Sequence, residues 1–97
     1  MQLVRSDSRE LTLTGNIKST DDYLAIRKAV TGILDEGGTS VTLKILDSLS
    51  MPSSVIGFFV KLVNRDKIKV TMEIQDPRLL ELLDELGLKE PFGARQA

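Results

Sequence analysis

Three stretches of this chain alternate apolar and polar side chains one for one. Leu11 and Leu13 alternate with Thr12 and Thr14. Val41, Leu43 and Ile45 alternate with Thr42 and Lys44, and Leu46 lengthens the apolar end. Ile68, Val70, Met72 and Ile74 alternate with Lys69, Thr71 and Glu73. A period of two marks a strand with one buried face, so strands are predicted over residues 10–15, 40–46 and 68–74. The second of them belongs in the centre of the sheet. Residues 2–5 form a further, weaker strand candidate, and Asp7-Ser8 supplies the turn of a hairpin with residues 10–15.

Between these stretches the period changes to that of a helix. Tyr23, Ile26, Val30, Ile33 and Leu34 recur at spacings of three and four, behind a Ser19/Asp22 pair that reads as a capping box; Gly37-Gly38 stops the helix. Asp76-Pro77 combines an N-cap residue with proline at the first helical position. Leu79, Leu80, Leu82, Leu83 and Leu86 follow, and Gly87-Leu88 reads as the stop. The run VIGFFVKLVN from Val55 is apolar on every side, and its β-branched and aromatic content would also suit a strand. Serines at its start, Ser53 and Ser54, are N-cap candidates, and a clear strand follows closely, which favours a helix.

The order ββαβαβα implies an α/β domain with a mainly parallel, mixed sheet of about four strands, and three main helices packed on its apolar face or faces. The 97 residues leave room for a single domain over residues 1–92, with residues 93–97 as a frayed C-terminal tail.

Composition narrows the chemistry. With 13 Lys+Arg against 14 Asp+Glu, the chain lacks the basic surplus of a nucleic-acid binder, and its one tyrosine and three phenylalanines are too scattered for a stacking platform. Neither cysteine nor histidine occurs, which removes disulfides, thiolate or imidazole metal sites, cysteine nucleophiles and histidine bases. The opening MQLVRSDSRE lacks the apolar run of a secretory signal, and no segment approaches the ~20 apolar residues of a membrane span, so a cytoplasmic location without membrane insertion is expected.

The acidic residues Asp21, Asp22, Asp35 and Glu36 flank the first helix, and Glu81, Asp84 and Glu85 lie on the last; helix-end and solvated-face charge accounts for them. Gly15 and Gly37-Gly38 belong to no phosphate-cradling pattern. No catalytic residue, metal site or cofactor is assigned. The loop SLSMPSSVIG is different, because it gathers Ser48, Ser50, Ser53 and Ser54 immediately before the most apolar helix. Simple N-capping by Ser53 or Ser54 would explain the last two. On the residues alone this capping is the favoured reading, and a phosphorylated serine controlling a docking surface is the functional alternative, since a helix start favours an anion. Whether the rest of that helix is buried or presents an apolar strip to a partner is open on pattern alone.

These elements, in this order, resemble the STAS family, the sulfate-transporter and anti-sigma-factor-antagonist domain. LTLTGNI resembles the family's second-strand signature with Gly15 in place. MPSSVIGFFVKL resembles its Asp-Ser-Ser-Gly-Leu-Gly helix start, and LLELLDELGLKEPF is similar to its closing segment through Gly87, Leu88 and Phe92. The resemblance implies a non-enzymatic, bacterial partner-switching module. It would bind an anti-sigma factor that is also a GHKL-type serine kinase, and phosphorylation at Ser54, or at the neighbouring Ser53, would switch the binding off. The implied partner-binding residues are Pro52, Ser53, Ser54, Val55, Ile56 and Phe59, with Val55 and Phe59 as the leading contacts. Three positions depart from the pattern: Pro52 replaces the motif's aspartate, Val55 its glycine, and Lys18 the acidic residue closing the second-strand signature. A STAS subunit docking on the ATPase of an ABC-type transport complex is the alternative, and a small ligand-binding protein the second.

Overall fold

Ser8 and Arg9 turn the chain between two antiparallel strands, β1 (Gln2–Asp7) and β2 (Glu10–Thr14), whose register shifts between Arg5 and Asp7 at a bulge. In the computed structural model, which describes residues Met1–Ala97, three β-α-β crossovers follow this hairpin. Helix α1 (Thr20–Asp35) leads to β3 (Ser40–Leu46), α2 (Ser53–Asn64) to β4 (Lys69–Ile74), and α3 (Pro77–Glu85) to β5 (Ala94–Gln96). The strands lie in the sheet in chain order, all parallel from β2 onward, with β3 at the centre. The α/β class and the mixed sheet thus agree with the periodicities.

Two expectations are corrected. The sheet has five strands, and the residues expected to fray form the fifth: Met72, Glu73 and Ile74 of β4 pair with Ala94, Arg95 and Gln96. The physical cause sits at Gly93. Its φ is +54°, and a Cβ there would lie 2.6 Å from the Val70 carbonyl oxygen, so only glycine lets the chain come this close to β4. Phe92, fully buried, anchors the approach.

Burial along the strands alternates residue by residue. Leu11, Leu13, Val41, Leu43, Ile45, Val70, Met72 and Ile74 are buried, while Thr12, Thr42, Lys44, Thr71 and Glu73 between them are half-buried. All three helices therefore cover one face. The other face is open and carries a row of paired positions, Val4, Thr12, Lys44, Glu73 and Arg95, one from each strand. Ion pairs Lys44–Glu10 (3.7 Å) and Arg95–Glu73 (3.6 Å) balance its charge.

The helix ends follow from their residues. The Ser19 hydroxyl accepts from the Asp22 amide (3.0 Å), and the Asp22 carboxylate accepts from the amides of Lys18 (3.0 Å) and Ser19 (3.3 Å), which completes the capping box. Asp76 caps α3 by accepting from the Arg78 amide (2.9 Å). At the other end the Leu88 amide donates to the Leu83 carbonyl and the Gly87 amide to that of Asp84, with Gly87 at φ +73°, a Schellman stop. No helix is long and apolar enough to cross a membrane.

Candidate functional site

The three loops at the carboxyl ends of β2, β3 and β4 are tied together, and together they position the start of α2. The Leu49 amide donates to the Asn16 side-chain oxygen (3.1 Å), and the Ile17 amide to the Ser48 hydroxyl (3.2 Å), which itself donates to the Ser50 carbonyl (2.8 Å). The Asp47 amide donates to the Gln75 side chain (3.0 Å), with Asp47 held at φ +64°. Ser48 is 1% exposed, so it is a staple of the loop and is removed from the serines a kinase could reach.

Ser53 and Ser54 are exposed, and neither caps α2. The N-cap is Pro52, half-buried, which has no side-chain oxygen to offer. The amides of Val55 and Ile56 both donate to the Pro52 carbonyl, while those of Ser53 and Ser54 have no protein acceptor. The capping reading of the serines is thereby corrected: one residue of displacement puts them inside the first turn. The positive end of the helix and its free amides remain available where the two hydroxyls emerge.

The rest of the helix corrects the expected contacts. Val55 and Phe59 are both 0% exposed and, with Leu62, form the stripe that faces the sheet. They cannot meet a partner. Ile56 is half-buried. The face that remains accessible carries Ser54, Gly57, Phe58 and Lys61, and it forms one wall of a groove of about 540 Å³; Tyr23, Arg27, Thr31 and Leu34 of α1 form the other. Ser54 stands at its lip.

The two walls meet through aromatic rings. The Tyr23 and Phe58 rings meet edge to face, with centroids 6.4 Å apart. Phe58 continues to Phe59 (5.3 Å) and Phe59 to Phe92 (6.0 Å), so all four aromatic residues of the chain form one row running from the groove into the core. Arg27 and Lys61, one on each wall, belong to no ion pair. Gly57 is exposed in mid-helix, and a Cβ added there would meet nothing within 4 Å.

Tyr23, Arg27, Phe58 and Lys61 are groove residues that sequence reasoning does not single out. Their linear signals are the helical spacings of Tyr23 with Arg27 and of Ser54 with Phe58 and Lys61, each of which places its members on one side of a helix. The acidic residues, by contrast, sit where their positions suggest. Asp22 caps α1, Asp76 caps α3, Glu36 pairs with Arg5 (2.7 Å), and no group of three acidic side chains comes together to hold a metal ion. The Asp22 carboxyl is held below the usual aspartate range, chiefly by the hydrogen bond from the Lys18 amide and then by that from Ser19.

Comparison of the chain with protein-family models, with curated proteins and with solved structures finds no match.

Proposed function

We propose that this chain is a non-enzymatic protein-binding module of the anti-sigma-factor-antagonist type. The partner, a GHKL-type kinase that is also an anti-sigma factor, docks on the groove between α1 and α2, and a phosphate on Ser54 switches the docking off. One observation carries the proposal: Ser54 is exposed in the uncapped first turn of α2 and lines a groove that combines the apolar side chains Tyr23, Leu34 and Phe58 with charged ones, Arg27, Asp35, Lys61 and Asp66. A phosphate adds roughly −1.5 to −2 charges at pH 7. The free amides of Ser53 and Ser54 and the helix dipole accept that charge, so the domain tolerates it. A partner covering Phe58 and Tyr23 does not, because docking would strip water from the dianion.

The departures at Pro52, Val55 and Lys18 favour a second reading, in which the same groove docks on a transporter ATPase subunit and Ser54 is never modified. One experiment separates the two. Wild type, Ser54→Ala and Ser54→Asp are immobilised, and retained proteins are identified by mass; the wild type is also incubated with its kinase and ATP and peptide-mapped. Retention of the kinase by wild type and Ser54→Ala, its loss with Ser54→Asp, and phosphate at Ser54 support the switch. An ATPase subunit retained equally by all three transfers the groove to the transport reading. Phosphate only at Ser6, Ser8 or Ser53 overturns Ser54 as the switch residue.

A further inference from the structure

The two edges of the sheet are built differently. At one, β5 is three residues long, and the Gln96 side chain bridges back to the carbonyls of Ile74 (3.1 Å) and Gln75 (2.6 Å). That edge is short and locally tied. At the other, β1 offers six residues, with neither proline nor lysine among them. Such residues are the usual protection of an exposed strand; β1 keeps a bulge after Arg5 and the charges of Arg5 and Asp7 toward that same end, which leaves Gln2, Leu3 and Val4 without either.

Both faces of this edge are apolar at its middle. On the open face Val4 is 61% exposed, more than any other large apolar residue of the chain. On the helix face, Leu3 and Leu11 line a groove of about 400 Å³ under α1, which contributes the small residues Ala25, Ala29 and Gly32 together with Lys28. No element of the chain fills it. The one cation on the strand, Arg5, is already neutralised: its guanidinium donates to both Glu36 oxygens (2.7 and 2.8 Å) and to the Ser8 carbonyl (2.6 Å).

We infer that β1 is a self-association edge, and that its occupant is the β1 strand of a second copy, antiparallel about a two-fold axis through Val4. The strand is self-complementary in this register. Val4 meets Val4 of the second copy on the open face, and Gln2 lies toward Ser6, the polar residue at the bulge. On the helix face Leu3 meets the aliphatic stem of Arg5, and both lie over the groove. Glu36 carries the Arg5 charge, so bringing two copies together does not oppose two bare guanidinium groups. The result is one continuous ten-stranded sheet. Because α2 packs on β4, two strands beyond β2, the association leaves the α1–α2 groove free and is independent of the proposed function.

The chain contains no cysteine, which permits a direct test. Directly opposed residues of antiparallel strands have Cβ atoms about 4.5–5.5 Å apart, near enough for a disulfide to close with small adjustment. Val4→Cys is expected to give a cross-linked dimer on mild oxidation. Gln2→Cys is expected to stay single, since the two copies of that position lie roughly four residues apart along the strands, about 14 Å. Without cysteines, sedimentation equilibrium from about 10 μM to about 1 mM should show the mass rising toward twice that of the protomer, and Val4→Lys should hold it at one. Val4 is exposed, so these variants keep the fold, and an unchanged thermal midpoint checks that. A wild type that stays monomeric throughout overturns the inference. So does a dimer that survives Val4→Lys, or a Gln2→Cys variant that cross-links as readily as Val4→Cys.

Discussion

At the scale of single residues, Gly93 and Asp22 show how much of this fold depends on local backbone chemistry. Gly93 combines a left-handed φ with a Cβ direction blocked by the Val70 carbonyl. Gly93→Ala is accordingly expected to cost about 2 kcal/mol and to lower the thermal midpoint by roughly 10 °C, read by circular dichroism. A midpoint within a degree of wild type would mean that β5 docks without the close approach. Asp22 acts through its charge. Its carboxyl is depressed in the folded chain, so the native state binds fewer protons there than the unfolded state does. The stabilisation is present above the ordinary aspartate value and is lost as pH falls through the depressed one. Glu36 and Asp76, lowered by Arg5 and Arg78 respectively, work in the same direction, but as exposed pairs they add little. Denaturant titrations should find stability falling below about pH 4, with a shallower fall for Asp22→Asn. An identical slope in the variant would remove the cap from this account. With no histidine in the chain, no side chain of that kind titrates between pH 5 and 8.

At the scale of elements, α2 marks the limit of what the sequence reveals. Its existence, its start beside Ser53 and Ser54, and its place between two strands are legible, because the serines at its start and the strand that follows closely favour a helix over the strand its composition would also suit. Which side of it faces outward is legible only faintly. The apolar run masks a thin stripe of Ser54, Gly57, Lys61 and Asn64 at spacings of three and four, which lies opposite the buried Val55, Phe59 and Leu62. The groove that α1 and α2 form together emerges only in three dimensions. Gly57, like Gly32 of α1, is an exposed mid-helix glycine that a physical reading could catch. A glycine inside a helix costs about 0.5–1 kcal/mol relative to alanine, and no neighbour in this chain requires one there. The space beside it opens on the groove where docking is proposed. Gly57→Gln should leave the fold at least as stable as wild type while weakening partner docking tenfold or more, measured by calorimetric titration. Full affinity with a glutamine in place would locate the docking face elsewhere.

At the scale of the whole molecule, the alternating strands already contain the one-sided architecture. A parallel strand buried on both faces reads as a continuous apolar run, whereas Thr42, Lys44, Thr71 and Glu73 interrupt these ones at every second position. The helices therefore have one face to share. The fifth strand is beyond such reading, since Ala94, Arg95 and Gln96 are too few to show a period, and their pairing depends on a distant edge and on Gly93. The aromatic row is hidden in the same way: its members, spread from Tyr23 to Phe92, become neighbours only when α1, α2 and the C-terminal segment pack. That row has an optical consequence. The chain has a single tyrosine and no tryptophan, and the tyrosine lies on the groove wall, edge-on to Phe58. Its ultraviolet emission, excited near the red edge of phenol absorption where phenylalanine is dark, arises from that one wall. The protein thus carries its own unlabelled lamp beside the surface where docking is proposed.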